Sequence, residues 1–146
     1  MSAPEDRQLP PNPYNPHAWF VGEPVVGEGC WIGAFTVIDG SGGLTIGRGC
    51  DISAGAQIYT HSTVRRVLTE RKDAVERAPT TVGDFVHVGA GAVILMGCTI
   101  GDHSVIGAGA VVPQFTNVPA WSVVTGVPAV VREGAARRLV GPPRDA

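Results

Sequence analysis

Aliphatic residues recur every six positions through the second half of the chain. The series runs Val82, Val88, Ile94, Ile100, Ile106, Val112, Val118, Val124 and Val130. Four positions after each of the first eight stands a side chain that is mostly small, in the order Val86, Ala92, Cys98, Ser104, Ala110, Thr116, Ser122 and Pro128. This period is not the 3.6 of a helix, but it is even and so preserves the alternation of a strand. Each unit is predicted to be a short strand and a bend, and three units would close one triangular coil of a stacked solenoid.

The same period governs the first half of the chain, with two interruptions. A first coil has units at Val26, Ile32 and Ile38, and a second has units at Ile46, Ile52 and Ile58. Between them, the stretch SGGLT shifts the phase by two residues, which predicts a small bulge or turn. The next unit in phase begins only at Val82, so about 18 residues are inserted, roughly over 62–80. This charge-rich insertion leaves the coil directly after His61, and long loops of this kind are usually functional.

The two ends of the chain differ from the repeat. Residues 1–25 are rich in proline and asparagine. The aromatic residues Tyr14, Trp19 and Phe20 predict that this segment packs as a cap over the first coil. Residues 26–131 form the predicted solenoid. The tail 132–146 predicts a short helix over Glu133 to Val140, ended by the sequence GPP. The whole chain is predicted to be a single domain of 146 residues.

Composition narrows the class of protein. Charged residues make up only 16% of the chain and glycine is abundant, which fits a β-solenoid and argues against disorder. The net charge is −2 and the sequence has no block of basic residues, so nucleic acid is not an expected partner. There is no apolar run of membrane-spanning length, and the N-terminal sequence MSAPEDRQLPPNPYNP has no apolar signal core, so we expect a cytoplasmic protein. Cys30, Cys50 and Cys98 each fall at the small inward position, which predicts buried free thiols.

The repeat resembles a known family. Its pattern of an aliphatic residue, glycine, two variable residues and a small residue, with glycine at Gly83, Gly89, Gly101 and Gly107, is similar to that of the hexapeptide-repeat acyltransferases. The resemblance implies an all-β fold, a left-handed parallel β-helix, and the left hand comes from the resemblance alone. The sequence Tyr59-Thr60-His61, at the base of a long loop, resembles the catalytic histidine position of the maltose, galactoside and xenobiotic acetyltransferase branch. Acetyl-CoA is then the expected acyl donor, and no metal is expected.

The chemistry of acyl transfer suits His61. An acceptor hydroxyl or amine must lose a proton as it attacks a thioester, and imidazole is largely neutral at cytoplasmic pH and can take that proton. The resemblance places the oxyanion donor at the N–H of Ala90, after Gly89, and the pantetheine arm near Gly107 and Ala108. Repeat geometry alone is the competing explanation for these small residues.

The expected contacts to the phosphates of coenzyme A depart from the family pattern. The chain has Gln114 and Val130 where the family often has a basic residue. Arg132 is the candidate replacement, and Arg137 and Arg138 are further candidates.

Three residues are candidates for binding the substrate: Asp39, Tyr59 and His87. Asp39 stands where most units have glycine, and it either orients His61, binds the acceptor or is a solvated turn residue, the last being slightly favoured. His87 replaces the tryptophan of many relatives, and it either lines the donor site or lies on the surface. His103 is expected on the surface.

The expected assembly is a homotrimer with active sites between subunits, as the resemblance implies. Trp31, Phe35, Phe85 and Trp121 are candidate interface or cap aromatics. The predicted activity is transfer of an acetyl group to a sugar or sugar nucleotide, with O- and N-acetylation both open. The alternatives are a non-catalytic scaffold and a zinc enzyme like the γ-class carbonic anhydrases. The zinc enzyme would need three convergent histidines, and the spacing of His61, His87 and His103 does not favour this.

Overall fold

The computed structural model of the chain describes residues 8–142 and 144. Residues 1–7 of the predicted cap, which begin the segment expected to lack a signal core, and residues 143, 145 and 146 of the predicted tail lie outside the described residues. The remainder of the chain is dominated by very short strands, as the six-residue period predicts.

The described residues form eighteen strands and two short helices. The strands of the first two coils are Trp19–Val21 (β1), Val25–Val26 (β2), Trp31–Ile32 (β3), Val37–Asp39 (β4), Leu44–Ile46 (β5), Asp51–Ile52 (β6) and Gln57–Ile58 (β7). The inserted segment contributes His61–Ser62 (β8), Val64–Leu68 (α1) and Glu76–Arg77 (β9). The remaining elements are Thr80–Val82 (β10), His87–Val88 (β11), Val93–Ile94 (β12), Thr99–Ile100 (β13), Val105–Ile106 (β14), Val111–Val112 (β15), Asn117–Val118 (β16), Val123–Thr125 (β17), Val130–Arg132 (β18) and Arg137–Val140 (α2).

The strands stack into three sheets that form the sides of a triangular prism. The first sheet has the order β1-β4-β7-β12-β15, the second β2-β5-β10-β13-β16, and the third β3-β6-β11-β14-β17-β18. All pairs in these sheets are parallel except β17 with β18. Ile46 pairs with Val82 although the inserted segment separates them. The predicted phase is therefore confirmed across both interruptions, and the fold is a parallel β-solenoid.

The interior of the prism alternates large and small side chains. The large residues of most units, such as Ile52, Ile58 and Ile94, are fully buried. The small positions include Cys50, Ala56, Ala92 and Cys98, which are fully buried as well. The three cysteines are free, as predicted, although Cys30 is only partly buried. Because each coil covers the next, this narrow interior is the hydrophobic core.

The three sheets meet at three edges of the prism. The His61 corner joins the first sheet to the second and includes residues 40–43, 59–60 and 95–98. The aromatic corner joins the second sheet to the third through the turns that contain Phe85, His103 and Trp121. The alanine corner joins the third sheet to the first through 89–92 and 107–110.

The N-terminal end closes the solenoid with an extra strand. β1 pairs with β4, so the stacked sheet begins at Trp19 and not at Val26 as predicted. Tyr14 stacks on Phe20 with ring centroids 5.6 Å apart, and both pack against the core, which agrees with the predicted cap. Trp19 is 48% exposed and takes no part in the cap, because it points outward from its strand.

The C-terminal end differs from the repeat pattern. Val130 is in phase, yet it is exposed, because the chain reverses after Thr125 and β18 returns antiparallel along β17. The predicted helix over Glu133 to Val140 is shorter and covers Arg137–Val140. Gly141 follows it with φ of 58° and ψ of −169°, far from helical values, so the helix ends there.

The inserted segment is a projecting arm. β8 and β9 pair antiparallel at its base, with His61 opposite Arg77. The helix α1 beyond them buries no residue. The arm therefore has a defined stem, of which His61 is a part.

Candidate active site

His61 lies where the arm leaves the prism. After β7 the chain turns through Tyr59 and Thr60 and enters β8, which fixes the backbone of His61 against β9. The side chain of His61 is 33% exposed. The imidazole is thus held at a surface that an acceptor can reach.

Asp39 holds one side of that imidazole. Its carboxylate is completely buried, and Oδ2 lies 2.5 Å from Nδ1 of His61. The backbone N–H of Thr60 also donates to Oδ2 at 2.9 Å, and that of Ser41 donates to Oδ1 at 2.9 Å. Burial by itself raises the pKa of Asp39, but hydrogen bonds from Thr60, Ser41 and His61 together outweigh it and lower the pKa to about 2. Asp39 is therefore an ionised, buried carboxylate.

This position corrects the prediction for Asp39. The slightly favoured solvated turn residue is wrong, because the side chain has no exposure. Its assignment to substrate binding is also unsuitable, because both carboxylate oxygens are engaged inside the protein. Of the three predicted roles, orienting His61 fits the observed contacts.

The contact with Asp39 determines which nitrogen of His61 faces outward as an acceptor. An ionised carboxylate only accepts hydrogen bonds, so Nδ1 of His61 carries the proton in the neutral ring. Nε2 then has the free lone pair. A neutral imidazole oriented in this way is suited to remove a proton from a hydroxyl or an amine.

Tyr59 lines the approach to His61. The two rings meet edge to face, with centroids 5.8 Å apart and an interplanar angle of 79°. The hydroxyl of Tyr59 donates to Oε1 of Gln57 at 2.6 Å. Burial and then the nearby charge of Asp39 raise the pKa of Tyr59, so the phenol stays neutral. Tyr59 thus adjoins the imidazole, whereas its role in substrate binding stays a prediction.

The alanine corner presents free backbone donors. Ala90 and Ala108 are exposed at the tips of successive turns. Among the described residues, no acceptor pairs with either backbone N–H. A Cβ built on Gly91 or Gly109 would meet nothing within 4 Å. This edge is therefore a flat strip with donors available to a molecule outside the chain.

The glycines of this strip are not explained by backbone conformation alone. Gly91 and Gly109 have φ of 68° and 69°. At the aromatic corner Phe85, His103 and Trp121 adopt φ of 53°, 58° and 62° in the equivalent turns. Since residues with large side chains occupy the same conformation there, φ does not by itself demand glycine at the alanine corner. What distinguishes the alanine corner is that it is left uncovered.

Arg132 lies at the end of the same strip. Its Nη1 donates to Oγ1 of Thr125 at 2.8 Å, and Thr125 closes the corner above Gly107. Arg137 is placed elsewhere, because its guanidinium carbon lies 4.9 Å from the ring centroid of Trp121 at the aromatic corner. Of these two candidate arginines, Arg132 is the one beside the alanine strip.

The other predicted residues are spread over the prism. His87 is exposed on β11, on the outer face of the third sheet between Asp51 and Val105. His103 is not a simple surface residue, because it is sandwiched between Phe85 and Trp121, with a centroid distance of 4.4 Å to Trp121. In one copy of the chain the His61 corner and the alanine corner are different edges. The structure of one chain therefore does not bring His61 together with Ala90 and Ala108.

The described residues contain neither a metal-binding cluster nor a helix that could span a membrane. Within residues 8–142 and 144, His, Cys, Asp and Glu side chains nowhere gather in a group of three that could hold a metal ion. In the same part of the chain, neither helix has the length and apolar character needed to cross a membrane.

Sequence reasoning missed two residues around Asp39 and His61. Thr60 is completely buried and donates through its hydroxyl to the backbone carbonyl of Asp39 at 2.8 Å. Gly42 donates its N–H to that same hydroxyl at 2.8 Å. The available signal was the glycine pair at the phase shift, which indicated a bulge but not its contacts.

Comparisons with known proteins agree with the repeat. Residues 74–114 match the model of the bacterial transferase hexapeptide family, described as six repeats. Residues 25–60 match the hexapeptide repeat of succinyl-transferase. No significant similarity to a curated protein sequence is found.

Solved structures with the same fold are numerous. A hexapeptide-repeat-containing acetyltransferase from Vibrio cholerae is 32% identical with a TM-score of 0.67, over 75% of this chain and 61% of that one. A maltose O-acetyltransferase from Clostridium difficile 630 is 26% identical with a TM-score of 0.63, over 79% of this chain and 65% of that one. AntD, an N-acyltransferase from Bacillus cereus solved as a mutant with dTDP and coenzyme A, shares the fold at 20% identity with a TM-score of 0.72, over 85% of this chain and 70% of that one. The present chain thus spans less than two thirds of the first two proteins. By its repeats, its family matches and these structural relatives, the chain belongs to the hexapeptide-repeat transferase family.

Proposed function

We propose that the chain is an acyltransferase that moves an acetyl group from acetyl-CoA to a hydroxyl or amine of a sugar or sugar nucleotide in the cytoplasm. The observation that carries the proposal is the pairing of His61 with the buried, ionised Asp39 at the base of the arm. A scaffold would have no use for a partly exposed imidazole with one nitrogen tied to a buried carboxylate. The coenzyme A named with AntD supports the choice of donor by analogy.

The reaction begins at Nε2 of His61. This nitrogen takes the proton of the acceptor as the acceptor oxygen or nitrogen attacks the thioester carbonyl. The tetrahedral intermediate then carries a negative oxygen, for which the free N–H of Ala90 is the proposed donor. When the intermediate collapses, the carbon–sulfur bond breaks and the protonated imidazole returns its proton to the departing thiolate. Asp39 stabilises the imidazolium during the interval and keeps the ring oriented.

The alanine corner is the proposed donor site. An extended pantetheine arm can lie close to backbone only where no side chain intervenes, which Gly91 and Gly109 allow. Its amide groups would meet the free N–H groups of Ala90 and Ala108. Arg132, at the end of the strip, is the proposed contact for a phosphate of coenzyme A.

A complete site needs a second copy of the chain, because His61 and the alanine strip lie on different edges. The outer faces of the sheets support such an assembly. The outer face of the second sheet is mostly polar, with Thr45, Thr81, Thr99 and Asn117 beside one exposed valine, Val25. That of the first sheet is mostly apolar, with half-buried Val37, Val93 and Val111 beside Gln57. The third sheet adds Trp31, which is 56% exposed. We therefore propose a homotrimer in which His61 of one copy faces the alanine corner of the next.

The arm is the proposed determinant of the acceptor. Residues 62–80 contain five basic and three acidic residues, whereas the whole chain has a net charge of −2. Arg65 is paired with Asp73. Of the other cations of the arm, Arg71, Lys72 and Arg77 are exposed and Arg66 is half-buried. A locally positive arm favours an anionic acceptor such as a sugar nucleotide.

Acetyl transfer is tested by following thiol release from acetyl-CoA with a panel of amino sugars, simple sugars and sugar nucleotides. We expect release that depends on one acceptor class and falls at least about 100-fold in His61→Ala, the loss typical of a removed general base. Equal release by the variant would remove His61 from the mechanism. Failure of every acceptor, together with no binding of acetyl-CoA by calorimetry, would favour the scaffold.

The assembly is tested separately by the native mass of the purified protein. We expect three chains per particle at micromolar concentration. A stable monomer that still transferred acetyl groups would refute a site shared between copies.

A further inference from the structure

The His61 corner contains two more residues in its second turn than the repeat requires. Between Ile38 and Ile46 the interval is eight residues, whereas between Ile94 and Ile100 at the same corner it is six. The excess forms a bulge over 40–43, and its glycine Gly43 has φ of 99°. The proposed acyl transfer does not by itself explain this departure from the period.

Hydrogen bonds connect the bulge to both ends of the arm. The N–H of Gly42 donates to Oγ1 of Thr60, just before the arm begins. The carbonyl of Gly43 accepts from the N–H of Thr80 at 3.0 Å, where the arm has returned to the prism. Within the arm itself, the carbonyl of Thr60 accepts from the N–H of Ala78 at 3.1 Å. The bulge therefore anchors the stem that carries His61.

Thr60 connects the bulge to the carboxylate. Its backbone N–H donates to Oδ2 of Asp39, the same oxygen that meets His61. Its hydroxyl donates to the carbonyl of Asp39 while accepting from Gly42. The backbone N–H and the hydroxyl of this buried residue thus fix Asp39 and the bulge relative to each other.

Gly42 is required by the closeness of this contact. A Cβ built on Gly42 would lie 2.1 Å from the carbonyl oxygen of Thr60, which is far inside van der Waals contact. Any larger residue at this position would have to displace either the bulge or the residue that directly precedes His61.

We propose that Thr60 and Gly42 are positioning residues for the reaction, and that the bulge exists to lock Asp39 beneath His61. The inference rests on the proposed function of His61 as the base. A base must be held within a fraction of an ångström of its productive position, since a misplacement of about 1 Å can cost about 100-fold in rate. The two extra residues allow the chain to turn the side chain of Asp39 inward, at a position where the neighbouring strand β1 has Val21.

The test compares Thr60→Val, Thr60→Ser and Gly42→Ala with the unmodified protein. We expect kcat to fall about 10- to 100-fold in Thr60→Val and Gly42→Ala, with the KM for acetyl-CoA little changed, because the donor strip is on another edge. Thr60→Ser keeps the hydroxyl, so its kcat should stay within about threefold of that of the unmodified protein. Thr36→Val is the matched control. Thr36 is equally buried, but its hydroxyl donates only to the backbone carbonyl of Gly33, in the first coil and outside the strip over 89–92 and 107–110. Its kcat should be unchanged.

A second measurement does not depend on activity. The Nδ1 proton of His61, held against Asp39, should give a distinct low-field imidazole resonance in NMR spectra, which disappears in His61→Ala. It should be lost or strongly shifted in Thr60→Val and Gly42→Ala and retained in Thr36→Val.

The outcomes separate the two hypotheses. If the unmodified protein is inactive with every acceptor but the two variants still lose the His61 resonance, the positioning network is supported and the acyltransferase proposal is overturned. Folded Thr60→Val and Gly42→Ala variants with unchanged kcat and an unchanged His61 resonance would overturn the positioning role. If Thr60→Val does not fold, Gly42→Ala decides the question by the same two readouts.

Discussion

Replacing Asp39 by asparagine should change how the stability of the protein depends on pH. The carboxylate is completely buried and accepts hydrogen bonds from three groups, the N–H of Ser41, the N–H of Thr60 and Nδ1 of His61. These contacts favour the ionised form strongly enough that the pKa falls below its ordinary value despite burial. Asparagine keeps the shape of the side chain but removes the charge and one acceptor oxygen.

The size of the effect follows from the pKa. The pKa of Asp39 falls from 3.8 to about 2 on folding, which corresponds to about 2 kcal/mol at about 1.4 kcal/mol per pKa unit. Because the folded-state pKa is the lower one, this contribution is complete above pH 3.8. It is lost as the pH falls through about 2, since the unfolded chain takes up the proton first. The gap in unfolding free energy between the unmodified protein and Asp39→Asn should therefore narrow by about 2 kcal/mol between pH 6 and pH 2.

The assay is urea unfolding followed by circular dichroism at several pH values and one fixed protein concentration. Fixing the concentration matters because an oligomer gains stability by mass action. Asp51→Asn serves as the control, since Asp51 is exposed on the third sheet. The difference in unfolding free energy between the unmodified protein and Asp51→Asn should stay nearly constant over the same pH range. If the difference in unfolding free energy between the unmodified protein and Asp39→Asn does not change with pH, the conclusion that Asp39 is ionised and held by these hydrogen bonds is refuted.

Two further predictions concern thiols and arginines. Burial raises the pKa of the Cys50 thiol to about 11 and raises that of Cys98, so a thiol reagent should modify at most Cys30 in the native protein and all three cysteines after unfolding. Native modification of three thiols per chain would contradict the buried interior. Arg132→Ala should raise the KM for acetyl-CoA about 10-fold or more, whereas Arg137→Ala should leave it unchanged, because only Arg132 adjoins the alanine strip. Steady-state kinetics would contradict this assignment if the two variants had the same KM.

The repeat was predictable because each unit contributes to the core in the same way. Ile46 and Val82 are separated by the arm, yet they are neighbours in one sheet, as their common phase requires. A period that buries one large and one small residue per unit leaves little freedom for any other register. The position of His61 at the base of the arm follows from the same phase.

The parts that could not be predicted depend on contacts outside the period. Val130 fits the phase but lies on a strand that reverses direction, and a hexad pattern contains no information about strand direction. Asp39 looked like a solvated turn residue because its environment is created by Thr60, 21 positions later, and by the bulge. The local sequence at residue 39 identifies an unusual residue, but only the fold shows which way its carboxylate points.

The contrast between the alanine corner and the other two corners of the prism yields a direct test of the donor site. Phe85 lies over Gly49 and Phe115 lies over Gly97, so an aromatic residue at a left-handed turn leans back across the glycine of the previous coil. In Gly109→Phe the new ring should lie over Gly91 in the same way and cover the strip.

The fold should tolerate this change, because the backbone conformation costs a non-glycine residue only about 1–2 kcal/mol and the site around Gly109 is open. Acetyl-CoA binding, measured by calorimetry, should then be lost while the native mass is kept. Gly29→Phe is the matched control, since Gly29 has φ of 73° in an open turn of the aromatic corner. It bears the same conformational cost without obstructing the strip, so it should bind acetyl-CoA normally. Normal binding by a folded Gly109→Phe would show that the donor lies elsewhere, and that the small residues of the alanine corner reflect the repeat alone.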